Sequence, residues 1–133
     1  MVRLYSVAHA VVVLGVFALT SLPAAAPAAA DEELFHKNCQ TCHSLAADAV
    51  RRAGPNLQQI FGRAVGTLAD FPYSDALKQA DFAWTAEAMD AWLTNPQAYL
   101  PGTYMMYRQS DPEIRLAIIR YLQTAAGAAA QQS

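Results

Sequence analysis

The segment FHKNCQTCHSL, residues 35–45, contains both cysteines of the 133-residue chain, Cys39 and Cys42. Two residues separate the thiols, and His43 follows the second one directly. Side chains three positions apart on a helical turn point to the same side, so both sulfurs can reach one edge of a single group. The C-x-x-C-H pattern is the attachment signature of covalent haem. We therefore predict one haem c, bound through Cys39 and Cys42, with His43 as an iron ligand.

Three other uses of these residues are weaker. A structural zinc site needs four ligands at tetrahedral angles, and the adjacent Cys42 and His43 are poorly placed to chelate one ion. A redox-active C-x-x-C normally lies at a helix N-terminus, whereas this motif follows a predicted helix. A plain disulfide leaves the histidine without a role.

Residues 1–30 have the pattern of a cleaved secretory signal peptide. Arg3 precedes the apolar stretch 10–22, and the small-residue run PAAAPAAA follows. The apolar stretch is shorter than the ~20 residues that a membrane-spanning helix needs. We expect export to the periplasm and no stable membrane insertion after cleavage; an uncleaved anchor is the alternative.

The size and charge of the exported chain exclude several classes of protein. Cleavage after Ala30 leaves 103 residues, enough for one domain. It also removes one basic residue, which shifts the net charge from −2 to −3. An acidic domain is not expected to bind nucleic acid. Two cysteines are too few to staple the fold by disulfides.

The sequence predicts three main helices and no strands. The first begins near Asp31 and runs into the cysteines. The second begins after Thr85 as N-cap and ends at about Leu93, before Pro96. The third follows Asp111 and Pro112, and it frays into the Ala/Gln-rich tail, to which we assign no structure. Short helical turns are also expected in NLQQIFG and SDALKQA.

Residues 44–84 and 94–110 are predicted to be mostly loop, and such long loops are unusual in a compact domain. A large apolar cofactor would supply the core around which such loops can pack. The iron then needs a second axial ligand, and the candidates are His36, Met89, Met105 and Met106. His36 lies on the same side as His43, and Met89 falls in a helix where methionine usually fills the core. Met105 and Met106 lie in a loop able to cover the opposite face.

Several short motifs follow one another along residues 31–125: CQTCH, GPNL (54–57), FGR (61–63), FPYSDA (71–76), Trp84, NPQAYLPGTYM (95–105) and the late helix with Tyr121. With these motifs in register, the chain resembles the class I cytochromes c, the mitochondrial and bacterial photosynthetic-carrier type. Only the loop after Met105 is one residue shorter. The resemblance implies an all-α cytochrome c fold, with three main helices and loops wrapped around one covalent haem. Residues 126–133 form a C-terminal tail outside this domain.

The resemblance also assigns roles at the haem. It implies that Met105 is the axial ligand and that the Pro55 carbonyl orients His43. It implies that Tyr73, Trp84 and Thr103 donate to a propionate, whose charge Arg63 offsets. Trp92 and Leu77 stand where the family has polar residues, so we expect a less polar pocket beside Met105. The resemblance implies that Phe35 and Tyr121 form the contact between the first and last helices. The family usually has a small residue one turn before that phenylalanine, and Asp31 stands there.

The resemblance implies a carrier of single electrons and not an enzyme. A haem peroxidase or gas-binding protein would need a distal acid–base residue, and no histidine occurs between residues 44 and 133. We expect a monomer whose partners are redox proteins: an oxidase, a reductase, a dehydrogenase or a reaction centre. A subunit dedicated to one dehydrogenase is a third interpretation.

Overall fold

The computed structural model describes residues 26–46 and 50–130. The described residues form five helices in chain order: α1 (Ala26–Cys39), α2 (Asp75–Gln79), α3 (Ala86–Thr94), α4 (Pro96–Tyr99) and α5 (Pro112–Ala130). In these ranges the only β-type pairing is an isolated antiparallel bridge between Ala64 and Ala83. The predicted all-α class is confirmed.

Helix α1 begins five residues earlier than predicted, at Ala26 instead of Asp31. The extra residues are four alanines and one proline, and alanine has the highest helix propensity. The helix thus includes the last residues of the predicted signal segment. The apolar stretch 10–22 lies outside the described residues, so cleavage after Ala30 stays a prediction.

Helices α3 and α4 meet at Asn95. The Thr85 hydroxyl caps α3 as predicted, because it accepts a hydrogen bond from Ala88 N at 3.1 Å. Pro96 ends α3 but also starts α4, and the Asn95 side chain accepts from Ala98 N at 3.3 Å. Residues 94–110 are thus mostly loop, as predicted, with one short helix inside them. Asn at the N-cap followed by Pro at the first helical position is a helix start signal.

Of the two segments predicted to form short helical turns, one forms a helix and the other does not. Helix α2 forms within SDALKQA, where Ser74 O is the first helical acceptor and Ser74 Oγ accepts from Leu77 N. The segment NLQQIFG forms turns instead of a helix, with Gln59 at a φ of 52°. A non-glycine residue in that left-handed region interrupts a right-handed helix.

Helix α5 runs to Ala130, which corrects the prediction that it frays from Thr124. The alanine-rich sequence TAAGAAA supports helix by propensity, even with one glycine in it. At its start, the Asp111 carboxylate accepts from Glu113 N at 2.9 Å, as the N-cap prediction requires.

The core is formed where α5 packs on α1 and α3. The rings of Phe35 and Tyr121 contact each other, with centroids 5.1 Å apart, and Ile118 and Leu122 are buried beside them. This agrees with the contact expected between the first and last helices. Both ends of the domain are thereby joined next to the segment that carries the cysteines.

Asp31 does not keep α1 and α5 apart. Its carboxylate is nearly buried and accepts two hydrogen bonds from Arg120, from Nε at 2.8 Å and from Nη2 at 2.7 Å. A bidentate pair of this kind fixes both distance and orientation. The helices therefore meet through an ion pair at the position where the family that the sequence resembles usually has a small residue.

Candidate functional site

The two cysteines and His43 lie on the turn that ends α1. The Cys39 carbonyl accepts hydrogen bonds from Cys42 N at 3.1 Å and from His43 N at 2.9 Å. The carbonyl of Cys42 in turn accepts from Gly54 N at 2.7 Å. Backbone contacts alone therefore bring the motif against the segment that contains Pro55.

The His43 ring is held in one orientation. Its Nδ1 lies 2.8 Å from the Pro55 carbonyl oxygen. A carbonyl can only accept, so Nδ1 carries the proton and Nε2 has a free lone pair. Burial lowers the pKa of His43, and this effect outweighs the opposing effect of the Pro55 hydrogen bond. The lowered pKa favours the neutral ring, which is the form that binds metal.

Gly54 is needed for this approach. A Cβ atom at position 54 would lie 2.6 Å from His43 Nδ1 and closer still to Cε1. No side chain larger than hydrogen fits without displacing the ring. GPNL thus has a direct steric role, since its glycine leaves room for the histidine and its proline carbonyl accepts from it.

The environment of Cys39 does not suit thiol–disulfide exchange. Cys39 is buried while Cys42 is exposed. Burial, and then the neighbouring Cys42, raises the pKa of the Cys39 thiol to about 12. Redox-active C-x-x-C pairs instead depress the pKa of the attacking thiol, usually at a helix N-terminus. Within 26–46 and 50–130, no three His, Cys, Asp or Glu side chains converge, as a zinc site of such ligands would require.

Met105 and Met106 occupy different surroundings. Met105 packs against the core, and its sulfur lies 3.0 Å from Nε1 of the buried Trp92, which donates to it. Met106 is 68% exposed. The Gln97 side chain, from α4, donates to the carbonyls of Thr103 at 2.6 Å and Met105 at 3.3 Å. Sequence reasoning gave Gln97 no such structural role, although its position just after an Asn-Pro helix start places it near the loop.

Tyr73, Trp84 and Arg63 lie together. Tyr73 and Trp84 are buried, and Trp84 N donates to the Arg63 carbonyl at 3.0 Å. The Arg63 guanidinium donates to the carbonyls of Asn56 at 2.8 Å and Gln58 at 3.3 Å. Burial raises the pKa of the Tyr73 hydroxyl, and the nearby Arg63 partly opposes this shift. The three predicted propionate-side residues thus form one cluster.

Thr103 lies in the loop before Met105, and its hydroxyl oxygen is a buried polar atom that has no hydrogen-bond partner among the described residues. An unpaired buried hydroxyl costs about 1–3 kcal/mol, so such an atom in a folded protein usually faces a group that binds there. A propionate oxygen would satisfy it.

Aromatic rings contact one another on the Met105 side of the domain. Trp84 contacts Phe82 and Trp92 edge to face, with ring centroids 5.2 and 5.3 Å away, and Trp92 contacts Tyr99 at 6.3 Å. An apolar wall, a held imidazole, a thioether and an orphaned hydroxyl are the surroundings that a haem requires. The residues present therefore fit that group.

The sequence model of the family described as Cytochrome c matches residues 28–126. The chain belongs to the cytochrome c family. It is 38% identical over 113 residues to a cytochrome c2 of Blastochloris viridis, which covers 83% of this chain and 89% of that protein. It is 38% identical over 99 residues to a cytochrome c of Guizotia abyssinica, covering 74% and 89%. A cytochrome c2 of Afifella marina is 39% identical over 93 residues, covering 67% and 75%.

Membership of the cytochrome c family establishes the general function. The protein is a haem-containing electron carrier, and its haem is of the covalently bound c type. Its partners are redox proteins, and it is an electron-transfer protein and not an enzyme. None of the helices in the described part of this cytochrome c could cross a bilayer by length and apolarity.

Proposed function

We propose that this cytochrome c is an exported, monomeric, periplasmic carrier of single electrons between redox proteins. Cys39 and Cys42 attach the haem, and His43 and Met105 are the axial ligands of its iron. With both axial positions taken by side chains, the iron is closed to small substrates, and the haem supplies a one-electron couple.

The observation that carries the proposal is that each of the two proposed ligand side chains is oriented by one hydrogen bond. Pro55 accepts from His43 Nδ1, and Trp92 donates to Met105 Sδ. Each contact orients its ligand from the protein side. Outer contacts of this kind orient ligands and adjust their donor strength. Rigid ligands also keep the geometry similar in both oxidation states, which favours rapid electron transfer.

The remaining predicted residues have roles at the edge of the haem. Tyr73, Trp84 and Thr103 provide hydrogen-bond donors for a propionate, and the unpaired Thr103 hydroxyl supports this assignment. Arg63 carries the positive charge that offsets the carboxylate. Its guanidinium is held at fixed position by the two loop carbonyls. Trp92 has a second role as a wall of the pocket.

The surface beside Met105 supports a docking role without charge steering. The chain carries no Asp, Glu, Lys or Arg between Asp90 and Arg108. In that segment Tyr104 is 73% exposed, and Met106 is also largely exposed. Aromatic residues and methionine are enriched at the centres of interfaces, where charged residues are depleted. We therefore propose that this protein presents a largely uncharged docking face to its partner.

Haem attachment is tested by acid–acetone extraction of the protein isolated from periplasm. Haem should remain with the denatured polypeptide, and the Cys39→Ser, Cys42→Ser double variant should release it. Extraction of free haem from the unaltered protein would overturn the proposal.

The methionine ligand is tested by the weak far-red sulfur-to-iron charge-transfer band of the oxidised protein. Met105→Ala should abolish the band, and Met106→Ala is the matched control that should retain it. The opposite result would assign the ligand to Met106.

A further inference from the structure

Arg115, on α5, connects three parts of the chain. Its Nε donates to the Asp90 carboxylate on α3 at 2.7 Å. Its Nη1 donates to the carbonyls of Gln109 and Ser110, each at 3.0 Å. The Arg115 side chain is only 12% exposed, whereas that of Asp90 is 48% exposed. A largely buried guanidinium with three acceptors is a fixed junction and not a mobile surface charge.

The segment that Arg115 holds begins four residues after Met105. Gln109 is also tied to α3, since its backbone N donates to the Leu93 carbonyl at 2.9 Å. Its side chain donates to the Tyr107 hydroxyl at 3.1 Å and accepts from Asp111 N at 3.0 Å. Residues 107–111 are thereby fastened to α3 and to the start of α5.

Helix α3 contacts both Met105 itself and the chain that follows it. Trp92 donates to the Met105 sulfur, the adjacent Leu93 carbonyl binds Gln109, and Asp90 binds Arg115. The thioether therefore has a fixed position only while the chain beyond it stays on α3. Gln97 holds the loop on the N-terminal side of Met105, and Arg115 is the corresponding side-chain contact on the C-terminal side.

We propose that Arg115, oriented by Asp90, is a positioning residue that keeps the Met105 thioether in place and suppresses its transient release. The inference rests on the proposed ligation by Met105. Without Arg115, the carbonyls of Gln109 and Ser110 lose a charged donor, and residues 107–111 can leave α3 while α1 and α5 remain packed. The loop then opens locally and the ligand dissociates more often.

The experiment measures imidazole binding to the ferric holoprotein, a reaction that requires the methionine to leave first. Arg115→Gln should bind imidazole about tenfold faster than the unaltered protein, the change expected for 1.4 kcal/mol of lost anchoring. Arg115→Lys keeps the charge but cannot reach all three acceptors. Its rate of imidazole binding should therefore lie between those of Arg115→Gln and the unaltered protein. Asp90→Asn removes the orienting charge and should also accelerate binding.

Asp31→Asn is the matched control, because it breaks the other arginine–carboxylate pair of α5 and lies at the α1 interface. It should lower global stability without accelerating imidazole binding. The far-red band should vanish at lower temperature than far-UV circular dichroism in the Arg115 variants, but not in the control. If Arg115→Gln does not fold, the rate of imidazole binding to Asp90→Asn tests the inference instead.

Two results overturn the inference and leave the ligation intact: unchanged imidazole rates in Arg115→Lys and Asp90→Asn, or an equal acceleration in Asp31→Asn. Absence of the far-red band from the unaltered protein would instead contradict the proposed Met105 ligation, and with it the inference. The two failures are therefore distinguishable.

Discussion

Replacing Trp92 by phenylalanine removes one donor from the Met105 sulfur and keeps an aromatic ring. In the structure Nε1 lies 3.0 Å from Sδ, and only 5% of the residue surface is exposed, so solvent cannot readily substitute for the lost contact. The positive end of the N–H dipole points toward the ligand. This positive end of the dipole disfavours the ferric state, because ferric haem carries one more positive charge than ferrous haem. We therefore expect Trp92→Phe to lower the reduction potential.

The size of the shift follows from the energy of one hydrogen bond. A buried neutral hydrogen bond contributes about 1 kcal/mol. For a one-electron couple about 59 mV corresponds to a tenfold change in equilibrium constant, or about 1.4 kcal/mol. If most of the bond energy distinguishes the two oxidation states, the potential should fall by about 40 mV. Trp92→Tyr retains a hydroxyl donor and should lower the potential by less.

Redox titration monitored by visible absorbance measures the shift, and the far-red band reports whether Met105 still binds iron. Met89→Leu, a volume-conserving change at another buried residue of α3, serves as the packing control and should leave the potential near its starting value. An unchanged or raised potential in Trp92→Phe, with the far-red band intact, would refute the electrostatic reasoning.

Three further perturbations test other parts of the structure. Arg120 lowers the pKa of Asp31 below 3.8, so their pair stabilises the fold above that pH and is lost as pH falls through the folded-state pKa. Asp31→Asn should therefore lower the thermal midpoint at pH 7, and this deficit should shrink toward pH 3; a deficit independent of pH would show that shape and not charge matters. Gly54→Ala should displace the His43 ring and sharply reduce the yield of low-spin holoprotein, whereas Gly62→Ala, with open space around its Cβ, should cost only backbone strain at a φ of 80°. The rate of electron transfer to the natural partner should fall only weakly between low and physiological ionic strength. Tyr104→Ala should lower this rate more than Leu116→Ala does. Leu116 is the control because it is exposed on α5, and in the described residues α5 does not contact α4. A steep salt dependence would contradict the uncharged docking face.

The parts of the fold that local sequence specifies were predictable. Thr85, Asp111 and Pro112 mark helix starts by local hydrogen bonding and fixed φ, and these starts are observed. Helix boundaries set by propensity were less accurate. Alanine-rich flanks lengthen both α1 and α5, and they carry no cap signal that would define an end.

Residue types near the site were also predictable, but their pairings were not. The resemblance implied roles for Met105 and the Pro55 carbonyl, and the prediction for Trp92 concerned only the polarity of the pocket. Its donation to the sulfur depends on how α3 packs against the loop, which no local pattern encodes. The pairs Asp90–Arg115 and Asp31–Arg120 join residues 25 and 89 positions apart. Charge patterns along the chain give no indication of such partners.

The contact between α1 and α5 has a consequence for the order of folding. Asp31 and Arg120 close a loop of 89 positions, which costs about 4 kcal/mol of chain entropy by the logarithmic length rule. Synthesis delivers α1 first and α5 last, so α1 lacks this helix partner until nearly the whole polypeptide is available. During that interval Cys39, which is buried in the finished domain, is accessible. We expect the docking of α5 to set the end of the period in which the Cys39 thiol can be modified.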